Sequence, residues 1–182
     1  MASTTTSVID RFEASLAGLD VPVTRTDPGA FTETLRGIAR DPAVGTPMPF
    51  EDVSLPPFVD EEPGPADLEA AHTGVTAASF GIASYGSVVL PSTPDGSEQV
   101  SLFPELHVPV LPVAELVPDM SAAIDRLGPR LRNGESVVLA TGPSATADMG
   151  ELVRGAHGPR DVHVVLIEDT RQGSTPGGDP DE

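Results

Sequence analysis

Two short segments carry the residue types with most chemical use. The first is Thr141-Gly142-Pro143-Ser144-Ala145-Thr146-Ala147-Asp148, directly after the apolar run Ser136–Ala140. Ser144 and Thr146 offer hydroxyls, and Gly142 permits close approach of backbone to a ligand. Were a helix to begin near Ala145, its free N–H groups would make an anion site. The competing interpretation is a plain strand-to-helix loop, with Ser144 or Thr146 as N-cap and Asp148 in the first turn. The second segment is Gly155-Ala156-His157-Gly158-Pro159. Its glycines and proline predict a tight turn with His157 at the tip, either a candidate acid, base or ligand or a turn histidine bonded to backbone. Arg154 and Arg160 flank it and could hold a carboxylate or phosphate, or pair with surface acids. His72 and His107 sit near predicted strand ends, and His163 lies inside a strand as a structural residue. No histidine pair has metal-ligand spacing, so no metal site is expected.

Missing residue types narrow the chemistry further. The chain of 182 residues has no Cys, which removes thiol nucleophiles, disulfides and thiolate-ligated iron–sulfur or zinc sites within it. All ten basic residues are Arg, and without Lys there is neither a Walker loop nor a Schiff base. Against those ten stand 28 acids, for a net charge of -18, with 13 acids before His72 and 15 after it. A coat so evenly spread resembles the proteins of salt-accumulating haloarchaea, where molar salt screens repulsion over roughly 3 Å. Nucleic-acid binding needs clustered cations, and the densest cluster is only Arg126, Arg130 and Arg132. No apolar run has the length of a membrane span, and the start MASTTTSVIDRFEASL has no signal-like core. A cytoplasmic protein with no direct membrane insertion is expected.

The elements that must position these residues are readable in outline. Val8, Ile9, Phe12, Leu16 and Leu19 recur at helical spacing, with Gly18 as a stop. Val21–Thr24 reads as a strand. Asp27-Pro28 caps a helix through Phe31, Leu35 and Ile38 to about Arg40. Residues 41–66 hold seven prolines and the acids Asp60-Glu61-Glu62, and predict a loop with a short strand near Val53–Leu55. A short helix follows over Leu68–His72. Thr73–Ser84 and Gly86–Leu90 read as two strands joined at the Ser84–Gly86 bend, with a turn over 91–97 and a short element at Ser101–Pro104. His107–Leu111 reads as a strand whose internal Pro109 favours an edge. Pro118–Leu131 predicts a helix burying Met120, Ala123, Ile124 and Leu127. Ser136–Ala140 and Val162–Ile167 are apolar strands, and beyond Asp169 the composition predicts a disordered acidic tail, 170–182. Buried strands alternating with helices imply an α/β domain over 1–169, with a mainly parallel sheet covered by helices on both faces and ligands beyond the C-terminal ends of its strands.

Four stretches together carry a resemblance: Thr141–Asp148, Gly155–Asp169, Ile82–Leu90 and Leu102–Pro112. In this order and spacing they resemble the lactate utilization protein C family, whose unit is the LUD domain, best over residues 70–169. The overall acidity marks the chain as similar to a haloarchaeal-type member. The resemblance implies a fold similar to the sugar-phosphate isomerase and CoA-transferase group. It also implies a non-redox part in oxidising L-lactate to pyruvate beside two iron–sulfur partner proteins, which hold the clusters this Cys-free chain lacks. Matching the family motif residue by residue marks Gly86, Ser87, His107, Gly142, Pro143, Ser144, Thr146, Asp148, His157, Gly158 and Pro159 as the site. In the mechanism so implied, Asp148 orients His157, a base for the hydroxyl proton. The carboxylate of a small organic acid anion rests on helix-terminal N–H groups or Arg160. Two features depart from the family: Ser84-Tyr85 stands where relatives carry an acid, and the stretch from Asp148 to Leu152 is one residue short. The alternatives are an independent enzyme of CoA-transferase or isomerase type, and an assembly module without chemistry.

Overall fold

A computed structural model describes residues 7–148 and 151–168. The 170–182 tail and the centre of the short 148–152 stretch lie outside the described residues. The first described element is α1 (Val8–Ala17), which Ser7 caps in a capping box with Asp10. Next comes β1 (Val23–Thr26), two residues later than the apolar run implies. Asp27 accepts from Ala30 N–H across a 3₁₀ turn, and α2 (Phe31–Ile38) follows with Phe31 and Leu35 buried. The proline-rich stretch is less irregular than its composition predicts. It contains β2 (Ala43–Gly45) and β3 (Val59–Asp60), while Val53 and Leu55 form no strand and are simply buried.

After α3 (Pro65–Ala70) come β4 (Thr73–Ala77), β5 (Phe80–Ile82) and β6 (Ser87–Pro91). The 91–104 region, read from sequence as turn plus short element, holds the helix α4 (Ser97–Leu102). It is followed by β7 (Leu106–Pro112), β8 (Leu116–Val117) and α5 (Met120–Arg132). The chain continues through β9 (Val137–Thr141), β10 (Ala145–Asp148), β11 (Glu151–Arg154), β12 (Asp161–Val162) and β13 (Val164–Ile167).

The strands form three sheets. The central one is wholly parallel, in the order β1-β13-β7-β4-β2-β3, with β12 also on β7. One face packs Val75, Val108, Val110, Val165 and Ile167 under Phe31 and Leu35 of α2. The other packs Leu111, Val164 and Leu166 against Phe12 and Leu16 of α1 and against Val88 and Leu90 of β6. This is the expected α/β architecture with helices on both faces. A second, mixed sheet of order β8-β5-β6-β9 is covered in turn by Ala123 and Leu127 of α5, which meet Phe80, Ile82 and Val89. The third is the β10–β11 hairpin.

Four expectations are corrected here. Pro109 lies on an interior strand, not an edge. Leu106 N–H reaches His72 C=O on the β4 side, and His163 N–H reaches His107 C=O on the other. Amide directions alternate along a strand, so the N–H that Pro109 lacks would face His163, where β12 and β13 are interrupted. The missing ladder bond coincides with a break that already exists. Second, Ile124 is 54% exposed. Arg126 stacks over the Phe80 ring at 4.8 Å and Arg130 donates to Ser79, which turns the packed face of α5 away from Ile124. Third, β9 is not a buried parallel strand but an antiparallel edge strand on β6. Fourth, no helix begins at Ala145. Ser144 donates to Pro159 C=O and its own C=O accepts from Gly155 N–H, so the chain must return to its starting point. A helix rising about 1.5 Å per residue would carry residue 154 well over 10 Å away, whereas a hairpin closes the distance.

Candidate functional site

The two chemically promising segments are one structure. β9 ends in a turn at Gly142, whose φ of 67° is in the left-handed region that glycine adopts without strain. The β10–β11 hairpin then returns the chain to Gly155. At its base Ala145 pairs with Arg154, and the two Ser144 backbone bonds fix Thr141–Ser144 against Gly155–Pro159. The contact is close: a Cβ on Gly158 would lie 3.0 Å from Ser144 Cβ and 3.3 Å from its Oγ.

Between these segments and the start of β7 lies a cleft of about 240 Å³. His107, Gly142, Pro143, Ser144, His157, Gly158 and Pro159 all line it, together with Thr141, Leu90, Ser101, Leu102 and Val138 to Ala140. The cleft stands at the N-terminal end of the parallel strands β7 and β12, beside the end of the antiparallel β9. Binding beyond C-terminal strand ends, expected from sequence, rested on placing β9 in the parallel sheet. With no helix at Ala145, the helix-terminal anion site is likewise absent.

His107 forms the floor. It is 2% exposed, and burial lowers its pKa to about 3, so the imidazole is neutral across the physiological range. Nε2 lies 2.8 Å from Thr76 Oγ1. His157 is exposed at the mouth. No lining residue carries a carboxylate or a guanidinium, in a chain with 28 acids. The N–H groups of Gly142, His157 and Gly158 have no protein partner among the described residues. A neutral imidazole, hydroxyls and free amides beside an aliphatic wall make a site that can hydrogen-bond a small oxygen-bearing molecule without local acidic repulsion.

The other predicted residues fall outside the lining. Ser87 is buried behind it, its Oγ 2.6 Å from Thr141 Oγ1. Gly86 packs under α1, where a Cβ would meet Leu16 N at 3.1 Å. Thr146 lies on the hairpin opposite Val153, and Asp148 is three residues from the hairpin base, paired with Glu151. Arg160 lines an adjoining depression with Phe103, Glu105, Arg154 and Gly155; this depression shares Gly158 with the cleft. Arg154 reaches toward Asp20 at 3.7 Å. His72 is beside Glu105 at 3.6 Å. His163 bonds Thr24 at 2.8 Å, and its pKa is lowered by burial. Among the described residues, no three His, Asp or Glu side chains converge as a metal set would. Tyr85, at the departure from the family pattern, is 53% exposed.

The sequence left Thr76, Ser101, Leu102 and the β9 wall unassigned. Thr76 is one of two hydroxyl residues in β4, with Thr73, and nothing in the sequence singled it out; α4 offered no signal either.

Comparison with known proteins gives consistent matches. The LUD domain profile matches residues 65–167. The lactate utilization protein C of Bacillus subtilis is 36% identical over 106 residues, 56% of this chain and 44% of that protein. Its counterpart in Bacillus velezensis is 33% identical over 118 residues, 60% of this chain and 49% of that one. The uncharacterized protein YkgG of Escherichia coli K12 is 33% identical over 110 residues, 57% of this chain and 47% of its own. The matches thus span about half the length of these relatives. A crystal structure of a DUF162 family protein from Deinococcus radiodurans superposes with a TM-score of 0.66, covering 88% of this chain and 96% of that one at 21% identity, a likeness of fold.

Proposed function

The chain belongs to the LUD-domain family, and from that premise we propose that it serves lactate utilization as a non-redox component that binds a small organic acid anion in the cleft. Relatives named lactate utilization protein C support the metabolic setting. The single observation that carries the site is the hairpin-enforced meeting of Thr141–Ser144 with Gly155–Pro159 over His107. Oxidising L-lactate to pyruvate removes two electrons and two protons, one from the hydroxyl and one from C2, and the C2 proton leaves with the electrons, outside this chain. This chain has no Cys with which to ligate an iron–sulfur cluster, so the electrons pass to two iron–sulfur partner proteins. Its own part is to bind, orient and move a proton. The free amides of Gly142, His157 and Gly158 with Ser144 Oγ hold the anion, and Arg160 attracts it from the next depression. His157, in contact with solvent, takes the hydroxyl proton.

The test is lactate-dependent dye reduction by the complex reconstituted with its iron–sulfur partners. General-base roles are worth about 10²- to 10⁴-fold, so His157→Ala should slow turnover at least 100-fold. An unchanged rate overturns the assignment.

A further inference from the structure

We propose that Thr76 is a positioning residue that holds His107 as its Nδ1–H tautomer, so that the cleft floor presents an uncharged N–H donor to a carboxylate or carbonyl oxygen of the ligand. The inference rests on the cleft being the ligand site and adds to it a residue and a polarity. Thr76 is 0% exposed and does not line the cleft; its hydroxyl lies behind the imidazole, 2.8 Å from Nε2. The tautomer follows from counting protons. A threonine hydroxyl has one proton to give and lone pairs to accept with. Among the described residues, His107 Nε2 is the partner of Thr76 Oγ1. If Nε2 carried the proton and donated it to Oγ1, the hydroxyl's own proton would be buried with no acceptor, an unfavourable arrangement. If the hydroxyl donates to Nε2, both atoms are satisfied. The ring proton of the neutral imidazole then belongs to Nδ1, which has no protein partner among the described residues. Burial keeps the ring from taking a second proton.

The two histidines of the cleft thereby differ in kind. His107 cannot accept the substrate's proton, because its one basic nitrogen is engaged by Thr76. It can only donate, to an oxygen that carries or gains negative charge. His157, exposed and at the mouth, is left as the acceptor. A 2-hydroxy acid and its 2-oxo product both offer such an oxygen, and an amine or a cation does not.

The experiment uses the full chain, labelled with ¹⁵N-histidine, at pH 7 in molar KCl. Long-range ¹H–¹⁵N spectra should give His107 the pattern of a protonated Nδ1, retained in Thr76→Ser and lost or mixed in Thr76→Val. A protonated Nε2 in the unmodified chain, or the same pattern in Thr76→Val, overturns the proposal, and the first of these readings needs no variant to fold. Pyruvate is then added. The His107 Nδ1 resonance should move, and the Kd by calorimetry should rise roughly fivefold in Thr76→Val, the size of one hydrogen bond, and recover in Thr76→Ser. Heat of binding without movement of the resonance would refute the donor role while leaving the cleft's function standing. No heat with pyruvate or lactate would refute the functional reading itself, whatever the tautomer.

Discussion

Gly74 is the position where one methyl group should do most damage. It lies in β4, and a Cβ there would sit 2.0 Å from the backbone oxygen of Val100, 3.1 Å from the Val100 carbonyl carbon and 2.9 Å from Pro104 Cγ. Its φ is unexceptional, so the cause is contact alone. To open the closest contact from 2.0 Å to the 3.0 Å floor seen for real Cβ atoms, backbone must shift by at least 1.0 Å. The shift falls on α4, because Val100 is one of its three buried residues and its backbone oxygen cannot rotate away as a side chain would. Overpacking a core costs about 1–3 kcal/mol, occasionally more, and a clash with backbone belongs at or above the top of that range. Taking ~3 kcal/mol and about 2–4 °C per kcal/mol for a chain of this size, Gly74→Ala should lower Tm by roughly 6–12 °C.

The control is the same substitution elsewhere. Gly37 lies in α2 with nothing within 4 Å of a would-be Cβ. There Ala should gain up to ~1 kcal/mol from helix propensity and raise Tm by a few degrees. Thermal melts of both variants in molar KCl, followed by circular dichroism, give opposite signs for one chemical change. Because α4 also supplies Ser101 and Leu102 to the cleft, Gly74→Ala should weaken ligand binding while Gly37→Ala does not. A Gly74→Ala variant melting within about 2 °C of the unmodified chain would refute the packing of α4 on β4.

Three further outcomes are expected. Burial of His107 makes stability pH-dependent: the folded ring resists protonation down to about pH 3, whereas the unfolded one protonates near 6.5. Stability from this source is complete above pH 6.5 and is lost as pH falls toward 3, by up to about 5 kcal/mol at 1.36 kcal/mol per pH unit. Urea titrations of the unmodified chain should therefore show a slope in that window up to one proton steeper than those of His107→Gln; equal slopes would rule the account out. Gly158→Ala, which presses on Ser144 at 3.0 Å, should separate the two halves of the cleft and weaken pyruvate binding at least tenfold with a smaller change in Tm, and unaltered calorimetry would show the halves need not touch. Finally, with a net charge of -18, Tm should climb steadily from 0.1 to 2 M KCl as self-repulsion is screened; a flat profile would remove the case for adaptation to salt.

How far the sequence could be read depended on whether a residue's partner was near in the chain. Asp27 as a cap, and Phe12, Leu16, Phe31 and Leu35 as buried stripes, are local statements that hold in the structure. Where long-range contacts decide, the reading failed. Ser136–Ala140 has the composition of a buried parallel strand, yet its pairing with β6 at an edge depends on residues some 50 positions away. Ala145–Arg154 has no strong preference of its own and is made a hairpin by two backbone bonds at its ends. Ile124 belongs to the apolar stripe by spacing, and the seating of Arg126 on Phe80 and of Arg130 on Ser79 turns it outward. The cleft shows the same division. Its motif residues are legible as types, but the buried bond between Thr76 and His107 spans 31 positions and leaves no periodicity to find.

That division bears on why the two motif halves occur together. Neither Thr141–Ser144 nor Gly155–Pro159 is a site alone, since each supplies backbone that the other satisfies. Ser144 spends its N–H on Pro159 and its C=O on Gly155, and Gly158 must lack a side chain for Ser144 to lie against it. The two prolines have no N–H to give the ligand. Their fixed φ helps hold the turns beside Gly142 and Gly158, whose N–H groups have no protein partner among the described residues. The hairpin between the halves then needs only to return the chain to its start. Substitutions that preserve the Ala145–Arg154 pairing should leave the cleft intact, and a change at Ser144 or Gly158 should not.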